Sequence, residues 1–125
     1  MDKLMVAIAA FYGMSGVAMG AFAAHALKKR LDDYALDIIQ TATQYQMIHA
    51  IAMLAIVALA HAGSFELRTP LWCFVIGVAL FSGSLYVLAL TGIKPLGAIT
   101  PIGGVLLLLG WIVLIVKAVK VAPSI

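Results

Sequence analysis

This chain is short of charge. Asp, Glu, Lys and Arg make up 10% of its 125 residues and hydrophobic residues 65%, against about 25% and about 45–50% in an ordinary soluble domain. So few polar groups cannot cover a water-facing surface, so much of the chain must take hydrocarbon as its solvent. The charges that exist fall at positions 2, 3, 28–30, 32, 33, 37, 66, 68, 94, 117 and 120. Between them run four uncharged stretches, Leu4–Leu27, Ile38–Phe65, Thr69–Ile93 and Pro95–Val116, of 24, 28, 25 and 22 residues. A helix needs about 20 apolar residues to cross a bilayer. Four spans with both termini on one side is the direct reading.

Other scarcities narrow the chemistry. No Asp or Glu lies inside the expected spans, where a proton-coupled antiporter would want a carboxylate. The single cysteine, Cys73, excludes an internal disulfide and a dithiol redox mechanism and reads as a small buried apolar side chain. No Ser–His–Asp or Cys–His set is within reach of the membrane interior. No strand is evident, and no glycine-rich phosphate loop follows one. Lys3, the apolar run and the "AHA" at 24–26 mimic a secretory leader, but the run is long for one and carries Gly13, Gly16 and Gly20, so it reads as a retained span.

The pattern predicts an all-α polytopic membrane protein in one domain, 1–125, with helices at about 4–27, 45–61, 71–90 and 102–116. Between the first two, Leu31, Tyr34, Ala35, Ile38, Ile39 and Ala42 repeat with helical period while Lys, Arg and Asp take the other face. That predicts an amphipathic interfacial helix at about 31–43. No Pro or Gly separates Ala26 from Ala62, so it can join span two through a bend alone. The "TGIKPLGAITPIGG" run predicts a tight turn before span four. Lys and Arg near the helix ends tie between the two sides, so the positive-inside rule leaves orientation open. The compact Lys28–Lys29–Arg30 cluster leans toward a cytoplasmic first loop.

Small residues mark packing faces. Gly13, Gly16 and Gly20 recur on span one, Gly77 and Gly83 on span three, and Gly103, Gly104 and Gly110 on span four. In lipid such residues let a second backbone approach closely. The polar residues are fewer and carry the site candidates. His25 ends span one and His49 falls near the expected start of span two, which would put both rings at one membrane side. Thr41, Tyr45 and His49 are spaced by four and share a helix side, with Gln44 beside them; Tyr86 and Thr100 come from the end of span three and the last turn. The expectation is that these seven gather at one rim, as a hydrogen-bonded structural clasp or as a pocket for a headgroup, quinone or small solute.

Three passages, "GAFAAHALKK", "TATQYQMIHA" and "FSGSLYVLALTG…LGAITPIGGVLLLLGW", together resemble domain-of-unknown-function family 423, also called uncharacterised protein family 382, small four-helix bacterial membrane proteins of the YgdD/YwdK type. The family pattern often has a glycine where Ala23 stands here. The resemblance implies a multi-pass plasma-membrane protein and carries over no activity. On the residues, the leading reading is a small binding or assembly module touching membrane lipid, other membrane proteins or a second copy through its glycine seams. A transporter or pore for a small solute is the alternative. A second is a redox protein holding quinone, or haem b between the two histidines. No metal site, resident cofactor or nucleic-acid partner is expected: "DDYALD" is one weak acidic motif better suited to a helix start, and the methionines suit gap filling.

Overall fold

The computed structural model describes residues 2–63 and 66–121, and of Val121 the backbone alone. Four long helices follow one another: α1 (Asp2–His25), α2 (Asp33–Ala62), α3 (Arg68–Thr91) and α4 (Thr100–Val121). Each of the four is long and apolar enough to cross a membrane. A 3-10 turn at Leu27–Lys29 joins α1 to α2, and another at Lys94–Ala98 joins α3 to α4. The described residues include no strand.

The helix ends have local causes. Asp32 caps α2, its carboxylate accepting from the Ala35 N–H at 2.9 Å, which satisfies one of the donors a helix start leaves open. With no Pro or Gly inside it, α2 then runs unbroken for 30 residues. The amphipathic segment expected as a separate helix at about 31–43 is therefore the first three turns of α2. The helix is about 45 Å long at 1.5 Å per residue, some 15 Å more than the hydrocarbon core. α3 ends at Gly92, which adopts φ 71, a backbone that glycine takes without penalty. Pro70 falls in the first turn of α3 and Pro101 in that of α4, where a missing N–H costs little.

Consecutive helices pack along one another, α1 on α2, α2 on α3 and α3 on α4. The main core draws on all four: Met5 and Ala9 from α1, Met53 and Ile56 from α2, Phe74 and Val78 from α3, and Leu107 from α4. The opposite faces of α1 and α4 carry exposed Phe11, Met14, Val17, Val105, Leu108, Ile112 and Ile115, apolar surface suited to lipid tails.

The glycines divide sharply. A Cβ on Gly103 would collide with the backbone of Phe81, and one on Gly110 would lie 2.5 Å from the Phe74 ring. A Cβ on Gly77 would sit 2.7 Å from Leu107. The closest backbone approach is thus between α3 and α4. On α1 only Gly16 is in tight contact, against the Met47 sulfur. A Cβ on Gly13, Gly20 or Gly83 would meet nothing within 4 Å, and one on Gly104 only ordinary contact with Phe81. The seam expected along α1 is therefore a single tight glycine, and further along the chain it is Ala23 and Leu27 that pack against the cluster of Ala35, Ile39 and Ala89.

Two ties close one rim of the bundle. At the terminal rim, His61 of α2 lies 2.6 Å from the Asp2 carboxylate of α1. Lys117 of α4 donates to the Glu66 carbonyl at 2.7 Å and to its carboxylate at 3.2 Å.

Candidate functional site

The bundle interior holds a polar clasp built around Gln46 and His49. Both lie near the middle of α2, on its buried face, 3% and 4% exposed. Carboxamide and imidazole groups are costly in hydrocarbon unless bonded, about 4–8 kcal/mol for an unpaired amide. Both find partners on neighbouring helices.

Gln46 spans α1, α2 and α3. Its Nε2 donates to the Tyr12 carbonyl at 2.8 Å and to Ser15 Oγ at 2.7 Å. Its Oε1 accepts from the Tyr86 hydroxyl at 2.6 Å. The carbonyl of Tyr12 can only accept, so the amide nitrogen must face α1 and the oxygen α3. Tyr12 extends the network by donating its own hydroxyl to the Val75 carbonyl of α3 at 2.5 Å.

His49 ties α2 to α4. Trp111 donates its indole N–H to His49 Nε2 at 3.0 Å. An indole nitrogen is a donor only, so Nε2 must be unprotonated. Nδ1 lies 2.7 Å from the Tyr45 carbonyl, an acceptor, so Nδ1 carries the proton. The ring is the neutral Nδ1–H tautomer with both nitrogens engaged. Phe74 meets it edge-on at a centroid distance of 4.9 Å and Trp111 lies tilted at 5.8 Å, a dry aromatic cage.

Two hydroxyl bonds complete the stitching. Ser82 of α3 donates to the Ala42 carbonyl of α2 at 2.8 Å, and Ser84 of α3 shares a 2.6 Å hydrogen bond with Thr100 of α4. Every buried side-chain nitrogen and oxygen among the described residues has a partner.

Of the seven expected site residues, His49, Tyr86 and Thr100 enter this network, but not as one cluster: Tyr86 bonds Gln46, Thr100 bonds Ser84, and His49 bonds Trp111. Tyr45 is 42% exposed, packs on Phe81 at 4.8 Å and contributes its carbonyl. Thr41 is exposed and bonds back to the Asp37 carbonyl at 3.1 Å; Gln44 is exposed.

The expected meeting of His25 and His49 does not occur. Asp2 faces His61 and Gly16 faces Met47, a register that sets His25 level with residue 38. The two histidines therefore differ in depth by roughly 16 Å at 1.5 Å per residue, with His25 exposed at its helix end. This arrangement does not offer haem the paired axial ligands it would need between α1 and α2. The cause is the unbroken α2, which carries His49 to mid-helix rather than to a helix start. Tyr12, Ser15 and Trp111 are the parts of the clasp that the sequence does not single out, and Gln46 stands out in it only as one of several polar neighbours of the Thr41–Tyr45–His49 line. The available signal was that Gln46 and His49, three apart in the uncharged stretch of α2, share a face with buried Ala42, Ala50 and Met53.

The clasp explains how a small chain crosses lipid four times with polar residues inside it. Known proteins resemble the chain over most of its length. Residues 19–104 match the family described as "Protein of unknown function (DUF423)". A UPF0382 membrane protein of Staphylococcus aureus (strain bovine RF122 / ET3-1) is 44% identical over 120 residues, 96% of this chain and 98% of its own length. The UPF0382 membrane protein YwdK of Bacillus subtilis (strain 168) is 40% identical over 120 residues, 94% of this chain and 98% of its own. No solved structure matches the chain. With four spanning helices and full-length relatives of this kind, the chain is a multi-pass membrane protein and belongs to the DUF423 family.

Proposed function

We propose that this protein is a small binding or assembly module of the membrane, working through the surfaces it shows to lipid and to partners. The observation that carries this reading is the full engagement of the interior. Gln46 uses both ends of its carboxamide on α1 and α3, and His49 uses both ring nitrogens within α2 and α4. Groups committed in this way hold helices together, and moving a proton or a solute past them would require breaking several interhelical bonds at once. The uncommitted features lie outside, in the cationic rim at Lys28, Lys29 and Arg30 and in shallow clefts between helices.

The test pairs two measurements on the full chain. Native mass spectrometry after gentle detergent extraction is expected to show defined lipid or protein adducts. Liposomes containing the protein are expected to leak glycerol no faster than empty ones. Saturable solute flux that disappears in Gln46→Leu would overturn the reading in favour of a conduit.

A further inference from the structure

α1 and α2 touch at Gly16, where a Cβ would press on Met47, and stay packed towards their far end, where Ala23 and Leu27 lie against the cluster of Ala35, Ile39 and Ala89. On the flank of that contact, where a Cβ on Gly20 would meet nothing within 4 Å, lies a cleft of about 410 Å³ between the end of α1 and the start of α2. Its inner end is lined by Gly20, Ala23, Ala24 and Ile39, and its outer end by Lys28. Along α2 it runs from Thr43 to Leu36, about 10 Å at helical rise.

The cleft straddles the boundary of the hydrocarbon. α1 and α2 are level at the opposite rim, where Asp2 meets His61, so the surplus length of α2 projects on the Lys28 side. A hydrocarbon core of about 20 residues measured from that rim ends near Gln40. Gly20 therefore lies among acyl chains, Ala23 and Ala24 at the hydrocarbon boundary, and Lys28 among headgroups.

Its charge is of one sign. Among the described residues, Lys28 is the one ionisable residue lining it; the nearby Asp32 carboxylate accepts from the Ala35 N–H, and Asp33 and Asp37 are not in its wall. The cleft on the other flank of α2 has Arg30 and Lys94 at its mouth but Asp32 among them, a mixed field. Gln40 adds a carboxamide with no hydrogen bond to the described residues.

We infer that the α1–α2 cleft seats one anionic phospholipid of the adjoining leaflet, its phosphate on Lys28 and an acyl chain along Gly20, Ala23 and Ala24. This rests on the reading that the protein works through its lipid-facing surface. A cation at the mouth selects anionic over zwitterionic heads, since basic groups at a membrane surface are drawn to anionic lipid. The apolar wall selects a lipid over free phosphate.

The experiment titrates the purified full chain in detergent with phosphatidylglycerol or phosphatidylcholine and counts retained lipid by native mass spectrometry. Wild type is expected to retain phosphatidylglycerol at least about fivefold better, in line with one cation at the surface. Lys28→Gln should abolish the preference. Gly20→Leu, which points into open space and should fold, should reduce retention of both lipids. Lys120→Gln, at the opposite rim, should change nothing. Glycerol phosphate displacing the lipid, or both cleft variants behaving as wild type, overturns the site. If phosphatidylglycerol is still retained in both cleft variants, this site fails while the surface-binding reading stands. Retention of no lipid or protein together with saturable flux removes both.

Discussion

Trp111 hands its indole N–H to His49 Nε2 across 3.0 Å, joining α4 to α2 at mid-bundle. The bond fixes the imidazole tautomer and leaves no position on the ring for a second proton without turning two donors toward each other. The helices α2 and α4 are otherwise separated by a groove of about 410 Å³ whose wall includes Phe81 and Leu108, so this pair is a principal tie between them. Interhelical hydrogen bonds in membranes contribute about 0.6 kcal/mol on average. The dry aromatic surround, and the cost of leaving Nε2 unpaired in it, place this one toward the upper end.

His49→Ala and Trp111→Phe should therefore be coupled in a double-mutant cycle on unfolding in mixed micelles, by about 0.5–2 kcal/mol. His25→Ala and His49→Ala should add to within about 0.5 kcal/mol, since they lie well beyond the range over which sites couple. Strong coupling of the two histidines would contradict the register described above.

Gln46→Leu should be the most damaging single polar substitution. It removes one group and strands the Tyr12 carbonyl, Ser15 and Tyr86 together. A loss of about 2–3 kcal/mol is expected from the unpaired groups. Tyr86→Phe removes one of those bonds and should cost about 1 kcal/mol. Thermal unfolding in one detergent, run side by side, checks the order.

Gly103→Ala should destabilise by about 1–3 kcal/mol or more, because its Cβ meets the backbone of Phe81 and helices must move apart. Gly13→Ala, which meets nothing, should stay within about 0.5 kcal/mol of wild type. Equal effects at the two glycines would contradict the placement of the close seam between α3 and α4.

At the terminal rim, the Arg68 backbone N–H and the Lys117 ammonium hold the Glu66 carboxyl below its ordinary value. A depressed folded-state value favours the ionised form, so this contribution is present above the unfolded glutamate range and is lost as pH falls through the folded value. Acidification should lower the unfolding temperature of wild type more than that of Glu66→Gln. Identical acid limbs would show that the tie to Lys117 contributes nothing.

The four spans were legible because charge is excluded from hydrocarbon: every long helix carries its apolar length where the charged positions leave room. Depth was not legible in the same way. The same rule that located α2 gave its start as about 45, since Lys28 to Asp37 looked like a separate interfacial piece. The signal against a break was the missing Pro and Gly between Ala26 and Ala62, and it moves His49 from the rim to the middle. Glycine spacing showed that α1 had a small-residue face, but which glycine of that face points at α2, Gly16 onto Met47 and not Gly20, depends on how the two helices meet. Partner identity, such as Gln46 with Tyr86, depends on interhelical register and on which faces meet, neither of which is encoded by periodicity along one helix.

The central claim is that the membrane-buried polar groups are spent on holding the helices together. Nitrogen-15 NMR of the histidine rings in lipid bilayers tests it most directly. The expected spectrum shows His49 as a neutral ring protonated at Nδ1, with its Nε2 coupled through a hydrogen bond to the Trp111 indole N–H. A ring protonated at Nε2, or an imidazolium at neutral pH, would contradict it.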